Sequence, residues 1–129
     1  MSVRTQVGIV EWARRIDLAR RTERWLAGAL SVRVGAERDV AAKIELVRSA
    51  RLHAWHADLW KNVTPLLHNF SPDEVADRTD HTDVSPASAR EQLDEDYRAW
   101  ASEASPVAEA PILRVLRLIA RDHDELAPG

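Results

Sequence analysis

At 129 residues, with 30% of them charged and a formal net charge of −3, the chain has the length of one domain (residues 1–129) and no charge excess that would support nucleic-acid binding. It has no cysteine, which excludes disulfides, thiolate metal sites and cysteine nucleophiles. No apolar run approaches ~18 residues and Met1–Gly8 lacks the apolar core of a signal peptide, so no membrane span is expected and a cytoplasmic location is.

Aliphatic residues and alanine dominate, glycine occurs four times, and strand-type alternation is missing, so the pattern predicts four helices with short connections. The first helix is expected over Val3–Leu30. Its apolar positions step by three and four through Ile9, Trp12, Ile16, Ala19, Leu26 and Leu30, and Glu23 occupies the stripe position between Ala19 and Leu26. Arg14, Arg15, Arg20, Arg21 and Arg24 form a basic cluster with Asp17 and Glu23 interspersed, which reads as a solvated helix face. Ser31–Gly35 is either a turn or one more helical turn, since Val32 and Val34 are poor turn residues.

The second helix is expected over Ala36–His68, with Glu37 and Asp39 suited to the positive end of its dipole. One stripe runs Leu46, Ser49, Ala50, His53, His56, Ala57, Trp60, Val63, Leu67; a flanking stripe runs Leu52, Trp55, Leu59, Leu66. Pro65 should kink or end the helix, and His68 suits its C-terminal end. Ser71–Ser85 is the least regular stretch. Ser71-Pro72-Asp73-Glu74 has the form of a capping box, and the Asp and Thr residues that follow favour loop around a solvated His81.

Ser85-Pro86 opens a third helix that reaches Ala104, with the stripe Ala89, Leu93, Tyr97 (or Asp96), Trp100, Ala104. Ser105-Pro106 ends it. A fourth helix covers Ala110–Leu126 on the stripe Ile112, Leu116, Ile119, His123, Leu126. The loop lengths imply two antiparallel hairpins joined by a longer connection, hence an all-α four-helix bundle. The second helix exceeds the last two in length. Part of its apolar face should stay uncovered in a monomer, which predicts a homodimer.

Four polar residues stand on stripes that should be buried: Glu23, His53, His56 and His123. Asp122, Asp96 and Glu103 lie at stripe edges. His53 and His56 are three apart, which puts both rings on one helix face about 5–6 Å apart at Cβ. Burying such groups costs several kcal/mol unless they are paired or ligate a metal. Glu23, His53, His56, His123 and Asp122 are therefore the candidate metal ligands. Their oxygen and nitrogen donors suit non-haem iron or manganese, which could activate dioxygen, or zinc as a Lewis acid or clamp. Trp60, one turn beyond His56, would help to exclude water. Two other readings fit the same residues. One is a buried hydrogen-bond network in a non-catalytic, partner-binding or scaffold protein; the other is a small-molecule pocket with the histidines as polar anchors or acid/base groups. No nucleophile elbow and no glycine-rich phosphate loop are present.

Three blocks, Arg21–Leu30, His53-Ala-Trp-His-Ala-Asp-Leu-Trp60 and Ser105-Pro-Val-Ala-Glu-Ala-Pro-Ile-Leu-Arg-Val-Leu-Arg-Leu118, resemble ferritin-like proteins common in actinobacteria. The resemblance implies a ferritin-like antiparallel bundle with a dinuclear carboxylate–histidine metal centre; the dioxygen chemistry open to iron or manganese would make an enzyme of this kind an oxidase or oxygenase. In that superfamily the first and third helices each give a Glu, and the second and fourth each give Glu-x-x-His. Glu23 matches the first-helix Glu and His56 the second-helix His, while His53 stands where the Glu is expected. The fourth helix offers Asp122, His123 and Glu125 instead of Glu-x-x-His, and the third has no Glu squarely on its inner stripe. A mononuclear site, a differently built site and a lost site are all open.

Overall fold

The computed structural model describes residues 8–63 and 85–126, and these residues form four helices and no strand. The expectations for Val3–Val7, for Thr64–His68 with Pro65, and for the capping box at Ser71 and His81 lie outside the described residues. None of the helices is long and apolar enough to cross a membrane.

Helix α1 spans Ile9–Ala36. It runs on through Val32 and Val34, as the scarcity of turn residues there allows, and ends where Glu37 adopts an extended backbone (φ −82°, ψ 131°). Glu37 Oε1 then accepts the N–H groups of Arg38 and Asp39, each at 3.1 Å. Helix α2 therefore starts at Val40 and not at Ala36; it spans Val40–Val63. Asp39 caps it, with Oδ2 accepting the Ala42 N–H at 2.9 Å, which satisfies one of the donors that a helix start leaves open.

Helix α3 spans Pro86–Glu103, with Ser85 as cap: its Oγ accepts the Ser88 N–H at 3.1 Å, and Pro86 sits where no N–H is needed. After Ala104 the chain turns over Ser105, whose Oγ accepts the N–H groups of Val107 and Ala108. Helix α4 spans Ala110–Leu126.

The helices pack as a ring in which α1 touches α2 and α3, and α4 touches α2 and α3. The closest pairing is α1 with α2, as residues 37–39 alone connect them; of the four pairs that touch, α3 and α4 are the least closely packed. The core joins all four. It holds Trp12, Ile16, Ala19 and Leu26 of α1, Leu59 and Trp60 of α2, Leu93, Tyr97 and Trp100 of α3, and Ile112, Leu116 and Ile119 of α4. Each large apolar side chain removed from water contributes roughly 1.5–3 kcal/mol.

Among the described residues, two stripe positions fail. Ile9 is 63% exposed, because α3 ends at Glu103 opposite Arg15 and α1 projects past it. Trp55 is 51% exposed, because the buried arc of α2 is centred on Ala50, His53, His56, Ala57 and Trp60. On α1 the buried arc is wider than the apolar stripe. It takes in Asp17, read from sequence as part of a solvated face, at 4% exposure. Arg20 and Arg21 hold that carboxylate at 2.9 and 2.8 Å. Arg15 lies over the Trp12 and Trp100 rings and pairs with Glu103, so its charge is used at the α1–α3 seam. Arg14 and Arg24 are exposed, as a solvated face requires.

Candidate metal centre

All four helices send a polar side chain to one place inside the bundle. Glu23 of α1 and His56 of α2 are completely buried, and His53 is 1% exposed. The i, i+3 spacing of the two histidines on α2 sets their ring centroids 6.1 Å apart on one face. His123 of α4 completes a triangle, with its ring 6.1 Å from His53 and 5.3 Å from His56.

Each imidazole is held by a carboxylate from another helix. Glu23 Oε2 lies 2.8 Å from His53 Nδ1, Asp122 Oδ2 lies 3.0 Å from His56 Nε2, and Asp94 Oδ1 lies 2.9 Å from His123 Nδ1. These contacts fix which ring nitrogen carries a proton when each histidine is neutral, and they leave the opposite nitrogen as the electron-pair donor. Two of those opposite nitrogens, His56 Nδ1 and His123 Nε2, are buried without a hydrogen-bond partner. His53, His56 and His123 can each present one ring nitrogen such that all three lie within 4.8 Å of one another, a group that could hold a metal ion. Ligand nitrogens on a tetrahedral zinc ion stand about 3.3 Å apart, given Zn–N bonds near 2.0–2.1 Å. The three nitrogens would have to draw closer than they stand to share one ion.

Glu23 is the hub of the surrounding network. Its Oε1 accepts a hydrogen bond from the Tyr97 hydroxyl at 3.1 Å, and the Tyr97 hydroxyl oxygen in turn accepts from Trp60 Nε1 at 3.0 Å. Its Oε2, besides meeting His53, lies 3.3 Å from His56 Nδ1, near but not aligned for a hydrogen bond. With Nε2–H directed to Asp122, a neutral His56 would turn a lone pair toward a carboxylate oxygen at that distance. Two acceptors face to face call for a positive charge, either a proton on His56 or a metal ion beside it.

The electrostatics follow from this crowding. Burial alone pushes the Glu23 carboxyl up, but the hydrogen bond with His53 and the positive charge of His53 and His56 beside it outweigh that and hold the group below its ordinary 4.5. For His56, burial pushes the imidazole down, but Glu23 and Asp122 overcome that and raise it above 6.5. Burial and the Glu23 charge push the Tyr97 phenol well above 10, so it stays a neutral donor.

The five residues singled out from sequence, Glu23, His53, His56, His123 and Asp122, all converge here. The carboxylates of Glu23 and Asp122 meet imidazole nitrogens directly. Sequence reasoning missed Asp94, and it took Tyr97 for a core residue only. A signal for Asp94 existed: it lies three residues before Tyr97, so it shares an edge of the α3 stripe. Asp96 instead accepts a hydrogen bond from Gln92 on its own helix, and Glu103 pairs with Arg15. Comparison with protein-family models, curated proteins and solved structures returns no match.

Proposed function

We propose that the chain is a metal-binding helical protein whose ion is held between α2 and α4 by His53, His56 and His123. One observation carries this reading: three imidazoles meet, each tied through one nitrogen to a carboxylate, and two of the opposite nitrogens are buried without a partner. Ligating histidines commonly donate their other N–H to such a carboxylate, which orients the ring and raises its basicity. Glu23, Asp122 and Asp94 are the orienting groups on this account, and Glu23 also contributes negative charge beside the ion. Three protein ligands leave a coordination position open for chemistry.

The nitrogen-rich donor set suits iron or zinc better than manganese, which favours oxygen ligands. The ferritin-like resemblance of the sequence points to iron and an oxidation by dioxygen. The donor set alone suits zinc and an activated water equally. Metal analysis of untagged protein purified without chelator tests the centre. One equivalent of iron or zinc, lost in His53→Ala and His56→Ala, is the expected result. No bound ion, and no uptake of either on reconstitution, overturns it. Oxygen consumption by the iron-loaded protein then separates the two chemistries. A homodimer belongs to the same proposal, supported by Val40, Ile44 and Trp55, which stand exposed within an arc of roughly 60° on α2. Sedimentation measures it.

A second reading is favoured by the closure around Glu23, which meets His53, His56 and Tyr97 at once. A protonated His56 between Glu23 and Asp122 makes a self-sufficient buried network in a non-catalytic bundle. It predicts that His53→Ala and His56→Ala lower stability and leave the metal content as it was.

A further inference from the structure

We propose that the cleft between α3 and α4 binds a small organic anion, a molecule with a carboxylate or phosphate and an apolar body. The inference rests on the metal reading for what the anion is presented to, but not for the anion site itself. The least closely packed seam of the bundle holds a cleft of about 510 Å³, within the ~300–1,000 Å³ usual for small-molecule sites. Its inner wall includes His123, the histidine that the metal centre shares, so a molecule seated here lies against that centre.

The lining states the chemistry. Arg90, Arg98 and Arg117 stand around the cleft, and none of them enters an ion pair among the described residues. Two carboxylates face them from the same helices. Asp94 is engaged by His123, and Asp124 is exposed. Three guanidinium groups against one engaged and one solvated carboxylate leave a positive surplus. Guanidinium groups bind carboxylate and phosphate as planar, two-pronged donors. Leu113 and Leu116 supply the apolar wall. A neutral apolar ligand would leave the arginines unused, and a cation would meet them as like charge.

The probe is benzoate, with benzyl alcohol as the uncharged control of similar shape, titrated by NMR and calorimetry into the full chain. The ion content of each sample is measured in parallel. Benzoate should bind saturably and shift signals of α3 and α4. Benzyl alcohol, and benzoate with the R98E/R117E variant, should each bind about tenfold or more weakly, with melting temperature and metal content unchanged in the variant. Both arginines are exposed, so folding should survive the double change. Absence of benzoate binding in the millimolar range, equal binding of benzyl alcohol, or indifference to R98E/R117E overturns the proposal. Metal without benzoate binding refutes the cleft and leaves the metal centre standing. Arginine-dependent benzoate binding without metal supports the cleft and refutes the metal centre.

Discussion

Glu23 on α1 and His53 on α2, thirty residues apart in the chain, meet at 2.8 Å where both side chains are shut off from water. A buried charge of this kind is tolerable only with partners, and removing one partner strands the rest. Glu23→Ala should therefore lower the unfolding free energy by about 3–5 kcal/mol, a large fraction of the stability of a small domain. Urea unfolding measures it; a loss under about 1 kcal/mol would mean that the network contributes little.

The carboxylates behind the histidines should matter to an ion they do not touch. Asp122→Asn and Asp94→Asn each remove a charge that orients an imidazole and leave its shape. Each should weaken iron or zinc binding about 10–100-fold, read by competition with a chelator of known affinity. Unchanged affinity in both variants contradicts their orienting role.

Tyr97→Phe removes one hydroxyl that donates to Glu23 and accepts from Trp60. Loss of such a buried group should cost about 1–3 kcal/mol, with the stoichiometry of bound ion unchanged. A Tyr97→Phe protein as stable as the parent would show that the phenol is only a filler of space.

The pH dependence of the metal-free protein follows from opposite shifts. Glu23, lowered below 4.5, adds stability that is present above that value and fades as pH falls through its folded-state value. His56, raised above 6.5, adds stability that is complete below 6.5 and fades as pH rises through its folded-state value. Both contributions are full between 4.5 and 6.5, so the melting temperature should peak there and decline on either side. His56→Gln should flatten the alkaline decline. Iron or zinc should reverse it, because ligation needs unprotonated imidazole. A melting temperature that climbs from pH 6.5 to 8 without metal contradicts the assignment.

Gly28 lies in the middle of α1, exposed, and a methyl group added there meets nothing within 4 Å. Gly28→Ala should stabilise the protein by about 0.5–1 kcal/mol through helix propensity and a less flexible unfolded chain. Thermal unfolding checks it, and a destabilised variant would indicate that the position serves a contact made by another molecule.

The four helices were legible because apolar side chains recur at a period that suits burial of one face, and because Ser85-Pro86 and Ser105-Pro106 punctuate the chain in recognisable ways. Glu23, His53, His56 and His123 stood out because each breaks an otherwise apolar stripe. What escaped was set by geometry between helices. Asp94 lies beside its stripe, and only the approach of α4 gives it His123 as a partner. Asp17 looked like one charge among many until the α1 surface closed around it with two arginines. Trp55 shows the converse: a large apolar residue at a plausible spacing stays outside because, among the described residues, no neighbouring helix covers that side of α2.

The hairpin of α1 and α2 holds Glu23, His53 and His56, and the pair α3 and α4 holds Asp94, Tyr97, Asp122 and His123. Neither half owns a finished set of donors. An ion captured at the meeting point would act as a rivet between the two halves, and its binding energy would reappear as their cohesion. Withdrawing it should loosen the seam between the halves before it loosens either half within itself.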